Sequence, residues 1–98
     1  LDSILSVPQL GFAFVGPADL SMSLSGGDPL EKNTEAVSAA IDRTLEACLD
    51  AGVPVGRIRN DAADARAAVD AGYRIVRIGG DTASIREVLG ARLDELRD

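Results

Sequence analysis

The sequence predicts an α/β fold built on parallel strands. Three observations predict it. Three short apolar runs bounded by Gly alternate with three segments of helical periodicity. The stretches Leu49-Asp50-Ala51-Gly52-Val53 and Val69-Asp70-Ala71-Gly72-Tyr73 echo each other, each ending a helix and launching a strand. The order is strand, helix, strand, helix, strand, helix, which yields a parallel sheet with helices packed on it.

Each element follows from local chemistry. Leu1–Val7 reads as the tail of an earlier helix, with Pro8 beyond it as terminator. Phe12-Ala13-Phe14-Val15 is the first buried strand. Val37, Ile41, Leu45 and Cys48 recur at helical spacing and give the first helix one apolar face, with Gly52 as its stop. Val53-Pro54-Val55 is the second strand. Ala65, Ala68 and Val69 form the small face of the next helix, capped by Asn60 or Asp61 and stopped by Gly72. Arg74-Ile75-Val76-Arg77-Ile78 is the third strand. Ile85, Val88, Leu89, Leu93 and Leu96 face one side of the last helix. Ser84 and Glu87 fit a capping box there, and Thr82 competes as cap.

Composition excludes several kinds of chemistry. The chain has 98 residues, no His, one Cys and a formal net charge of −6. Without His there is no Ser–His–Asp triad, no Cys–His pair and no imidazole zinc site. One Cys forbids an internal disulfide and suggests a reducing compartment, so a cytoplasmic location is expected. A net acidic chain with three aromatic residues is a poor nucleic-acid binder. No apolar run is long enough for a membrane span, and no signal peptide is visible. The chain opens on Leu1 rather than Met and is expected to begin inside a longer gene product. Cys48 reads as a core residue. Glu31-Lys32 and Asp94-Glu95-Arg97-Asp98 read as solvated surface.

One connection is unusual. Gly16 to Asn33 is far longer than the ~2–6 residues of an ordinary βα loop and follows the C-terminal end of a strand. Parallel α/β folds place their sites at that end. Within it, Gly16 permits a tight departure and Pro17 removes one donor. The amides of Ala18 and Asp19 are then free to meet an anion. The Asp19 carboxylate suits a hard divalent cation such as Mg²⁺ or Mn²⁺. By composition alone, the same residues read first as an Asp N-cap or Asx-turn at the strand exit.

Phe12-Ala13-Phe14-Val15-Gly16-Pro17-Ala18-Asp19-Leu20-Ser21 resembles the signature of the HpcH/HpaI family of class II pyruvate aldolases. Two later segments are similar in order and spacing: Ala51-Gly52-Val53-Pro54-Val55-Gly56, and Ala71 to Thr82 with its Gly79-Gly80-Asp81-Thr82. The resemblance implies a (β/α)₈ barrel of which residues 1–98 are the C-terminal part, about three βα units of a single domain, with the N-terminal part absent. It implies metal-dependent aldol cleavage or addition of 4-hydroxy-2-oxo acids, giving pyruvate and an aldehyde. Asp19 is implied as a ligand of Mg²⁺, Mn²⁺ or Co²⁺. Gly16, Ala18 and Asp19 are implied at the substrate carboxylate, and Ile58 near the aldehyde moiety. The partner is a small 2-oxo acid, and the full-length protein is expected to be a homo-oligomer through its C-terminal helical region.

The family's second metal ligand, a Glu, has no counterpart here, and neither do its His and its substrate-binding Arg. No residue of this segment is therefore assigned as catalytic, and the chain alone is expected to be inactive. Arg57, Arg59 and Arg77 depart from the family pattern. Arg57 and Arg59 read either as solvated residues at the barrel mouth or as a grip on the carboxylate of a longer acidic substrate. Arg77 shares a face with Ile75 and Gly79. If that face is the barrel interior, Arg77 needs a carboxylate partner. Asp81-Thr82 reads as a helix cap. Two alternatives stand beside the aldolase: an acyl lyase of the citrate-lyase β-subunit type, and a degenerate, non-catalytic α/β fragment.

Overall fold

The structure, a computed structural model, describes residues 1–24, 26 and 35–97. Eight elements follow in order: α1 (Asp2–Leu5), β1 (Ala13–Phe14), α2 (Pro17–Leu24), α3 (Glu35–Ala51), β2 (Val55–Ile58), α4 (Ala62–Ala71), β3 (Ile75–Arg77) and α5 (Asp81–Arg97). The strands form one open parallel sheet in the order β1-β2-β3. Each strand runs into a helix, so α2, α4 and α5 all begin at the same edge of the sheet. Among the described residues, no helix is long and apolar enough to cross a membrane.

The echoed pentapeptides are two copies of one helix-ending motif. Val53 N–H donates to the Cys48 carbonyl and Gly52 N–H to Leu49; Tyr73 N–H donates to Ala68 and Gly72 N–H to Val69. This is the Schellman pattern, which needs a left-handed residue at its turn. Gly52 (φ +70°) and Gly72 (φ +121°) supply it. Arg74 then covers the end of α4, donating from Nη1 to the Val69 carbonyl. At the other end of α4, Asp61 is the cap, accepting from Asp64 N–H at 2.8 Å.

The core lies between the helices and one face of the sheet. Val15, Cys48, Val53, Val55, Ala68 and Tyr73 are buried there, joined by Ala13, Ile41, Leu45 and Val76. Cys48 is fully buried, and that burial pushes its thiol pKa up. Strand alternation puts Phe14, Gly56, Ile58, Ile75 and Arg77 on the opposite face, which carries no helix. Gly56 is packed between neighbours there: a Cβ on it would stand 2.8 Å from Phe14 Cδ2 and 2.7 Å from the Ile75 carbonyl. In a (β/α)₈ barrel this face looks inward.

The fold corrects several expectations. The stretch after Gly16 is not all loop, because Pro17–Leu24 is helical. Pro at the first helical position loses no hydrogen bond, and its fixed φ suits the helix. The rest of that connection, 25 and 27–34 with Glu31 and Lys32, lies outside the described residues, as does Asp98. β2 starts at Val55, since Pro54 has no N–H to give the ladder, and it runs on through Arg57 to Ile58. α5 starts at Asp81, so Ser84 lies inside its first turn, where its N–H donates to the Gly80 carbonyl; it forms no capping box with Glu87. Asp81 at this positive helix end accepts from Thr82 N–H, at 2.8 Å. Ile85, Val88, Leu89, Leu93 and Leu96 stay exposed on α5.

Candidate functional site at the C-terminal edge of the sheet

Gly16 occupies the N-cap position of α2, its carbonyl accepting from Leu20 N–H at 2.9 Å. Pro17, Ala18 and Asp19 are then the first three helical residues. The first N–H groups of a helix have no intrahelical partner and carry the positive end of its dipole. Proline contributes none, so the Ala18 and Asp19 amides are the first donors available to an anion. Both residues are exposed.

Asp19 sits at the third helical position, not at the cap or in an Asx-turn. Its carboxylate folds back over Gly16: a Cβ on Gly16 would stand 3.0 Å from Asp19 Oδ2. Gly16 has no left-handed backbone, so its role is to leave room for this carboxylate rather than to turn the chain. Gly16 and Asp19 line an open cleft of about 390 Å³ with Phe14, Val15, Leu20 and Thr44. Thr44 comes from α3 and was not legible as a site residue. Its hydroxyl is spent on the Ala40 carbonyl, at 2.8 Å, so it contributes its methyl side to the wall.

Ile58 does not reach this cleft. It ends β2 on the bare face, opposite Arg77 in the register. The larger cavity, about 690 Å³, lies between α1 and α3 beside Arg43, Glu46 and Asp50, away from the strand ends.

The arginines separate by face. Arg57 is on the helix-covered side with its guanidinium 5.3 Å from the centre of the Tyr73 ring. Arg59 forms an ion pair with Asp64 at 3.3 Å. Neither is the freely solvated mouth residue the sequence suggested: both are half-buried, and both Nε groups are buried without a hydrogen-bond partner. Arg77 is exposed on the bare face, its Nε donating to the Gly79 carbonyl at 2.9 Å.

Among the described residues, no three His, Cys, Asp or Glu side chains converge to hold a metal ion. Asp19 offers one hard oxygen donor, which is one ligand of a divalent site and not a site by itself.

The family model of the HpcH/HpaI aldolase/citrate lyase family matches residues 1–87. The chain belongs to that family. Two solved HpcH/HpaI structures are similar to it. One is an HpcH/HpaI aldolase/citrate lyase family protein from Burkholderia cenocepacia, with 34% identity and a TM-score of 0.85. The other is an HpcH/HpaI aldolase from Desulfitobacterium hafniense, with 26% identity and a TM-score of 0.81. Each comparison covers 99% of this chain and 37% of the other, so the chain spans well under half the length of these HpcH/HpaI proteins. No curated protein matches it. The three βα units are thus a portion of an HpcH/HpaI (β/α)₈ barrel.

Proposed function

We propose that this chain forms the substrate-carboxylate end of a divalent-metal-dependent pyruvate aldolase, which cleaves 4-hydroxy-2-oxo acids into pyruvate and an aldehyde. The observation that carries the proposal is the turn from Gly16 to Asp19. It joins two free helix N-terminal amides and one carboxylate at the C-terminal end of a parallel strand. A 2-oxo acid presents a carboxylate beside a carbonyl. The amides of Ala18 and Asp19 take its carboxylate, helped by the α2 dipole. The Asp19 carboxylate contributes one oxygen to an ion such as Mg²⁺, Mn²⁺ or Co²⁺, the remaining ligands coming from outside these residues. When bound, that ion stabilises negative charge on the substrate's oxygen. The proton-transfer base likewise comes from outside this chain, which has no His. The Gly-Pro-Ala-Asp-Leu-Ser motif favours the aldolase over an acyl lyase of the same family.

A homo-oligomer is part of the proposal, supported by the exposed leucines of α5. So is a cytoplasmic setting, supported by a single buried thiol.

The test needs no knowledge of the aldehyde. Pyruvate methyl protons exchange with D₂O when the enzyme enolises pyruvate, and proton NMR follows the loss. The full-length polypeptide carrying this chain is expected to exchange them with Mg²⁺, Mn²⁺ or Co²⁺ present and to stop with chelator. Exchange that never exceeds the buffer's own rate with any of these ions refutes the proposal. The 98-residue chain alone is expected to be silent.

A further inference from the structure

The turn that carries Asp19 is held between two buried residues. Val15 precedes it and is pinned to the sheet, its N–H donating to the Gly56 carbonyl at 2.9 Å. Ser21 follows it and is fully buried, the single buried residue of α2. Between them Gly16, Pro17 and Leu20 are half-buried, and Ala18 and Asp19 are exposed. Val15 belongs to the main core, and Ser21 lies outside it. The eight-residue α2 packs instead on α3, and Leu20 shares the cleft wall with Thr44 of that helix.

Among the described residues Ser21 is the single polar residue that is buried. Burying a hydroxyl brings little hydrophobic gain, so apolarity does not explain its place. Size and helical phase do. Successive residues turn by about 100° around a helix, so Ser21 and Asp19 point about 200° apart. With Ser21 against the body of the protein, Asp19 stands on the open side, at the strand end. A side chain as small as serine lets α2 lie close. A larger one overpacks the seat. A helix this short then shifts as a unit, carrying the Ala18 and Asp19 amides and the Asp19 carboxylate with it.

We propose that Ser21 is a positioning residue: it seats α2 on α3 and so sets where the Ala18 and Asp19 amides and the Asp19 carboxylate stand. This rests on the pyruvate-aldolase proposal above. In the full-length polypeptide, pyruvate proton exchange is measured over a range of pyruvate concentrations, with the divalent ion that supports native exchange. Ser21→Val is expected to lower kcat/KM for exchange by roughly ten- to hundred-fold, with the KM for pyruvate raised. Ser21→Ala, which keeps the seat small, is expected to restore most of it. Ala68→Val enlarges a buried residue of α4 by a comparable amount, away from the turn, and is expected to keep the native KM. A protein that is merely destabilised loses kcat with its folded fraction and keeps its KM. A Ser21→Val loss confined to kcat, exchange within about two-fold of native, or an Ala variant as impaired as the Val variant overturns the proposal. Ser21→Thr replaces the Val variant if the latter fails to fold. A native polypeptide that exchanges no pyruvate counts against the aldolase proposal, and the seat is then read by hydrogen exchange of the Leu20 amide, which is bonded to the Gly16 carbonyl. Faster exchange of that amide in Ser21→Val than in Ala68→Val supports the seat, and equal rates in the two variants overturn it.

Discussion

Gly16 and Asp19 are fitted to each other: a single methyl group on Gly16 would stand 3.0 Å from Asp19 Oδ2. The backbone at Gly16 is one any residue adopts, so Gly16→Ala strains no dihedral and displaces the carboxylate instead. The expected outcome is near-native stability in urea unfolding with pyruvate exchange reduced roughly ten- to hundred-fold, the scale of a small misplacement of a reacting group. Unchanged exchange would show that the Asp19 position is not set by this contact.

The two helix-ending glycines separate two costs of adding a side chain. At Gly52 a Cβ meets nothing within 4 Å, so Gly52→Ala carries only the left-handed backbone penalty, about 1–2 kcal/mol. At Gly72 the same Cβ also meets Leu49 Cδ1 at 3.1 Å. Gly72→Ala is expected to destabilise more than Gly52→Ala in urea unfolding of the same polypeptide. Equal or reversed losses would show that Leu49 moves aside freely.

Cys48 gives a dependence on pH. Burial raises its thiol pKa above the ordinary 9.0, so the native state keeps the proton at pH values where the unfolded chain loses it. Its contribution to stability is full below the unfolded thiol's pKa and is lost as pH rises through the folded one. Cys48→Ala is expected to flatten the fall of stability above about pH 9. An unaltered alkaline slope would contradict the assignment. The native thiol is also expected to resist thiol reagents until the protein unfolds.

Arg57 lies over the Tyr73 ring, and their coupling is measurable. A double-mutant cycle of Arg57→Met and Tyr73→Leu is expected to return about 0.5–1 kcal/mol of interaction energy, the range of a partly exposed cation–π pair. A coupling indistinguishable from zero would mean that Tyr73 acts through its apolar packing alone.

What the sequence made legible follows local rules with few competitors. β1 and β3 lie within their apolar runs, whereas β2 shares only Val55 with its run and continues to Ile58; the Gly52 and Gly72 stops announced themselves by repetition. Gly16, Ala18 and Asp19 were legible because a Gly-Pro pair after an apolar strand leaves free amides and one carboxylate. Helix α2 was not legible, since Gly16, Pro17 and the serines that follow read as a loop although Pro17 suits a first helical turn. Ser84 obscured the start of α5 because its spacing to Glu87 imitates a cap, whereas the chain is already helical at Asp81. The arginines could not be sorted by alternation alone. Periodicity groups Arg77 with Ile75 but does not say which face the helices cover. That depends on Val15, Val55 and Cys48 meeting in one core. Thr44 joins the cleft from a helix distant in sequence, which no local motif signals.

Asp19 carries the central claim, and pyruvate proton exchange reads it most directly. In the full-length polypeptide with saturating divalent ion, Asp19→Asn keeps the helix position and nearly the size of the side chain but removes its charge. The expected result is native-like folding with exchange reduced by roughly a hundred-fold or more. Exchange by Asp19→Asn within about two-fold of the native rate would contradict the account.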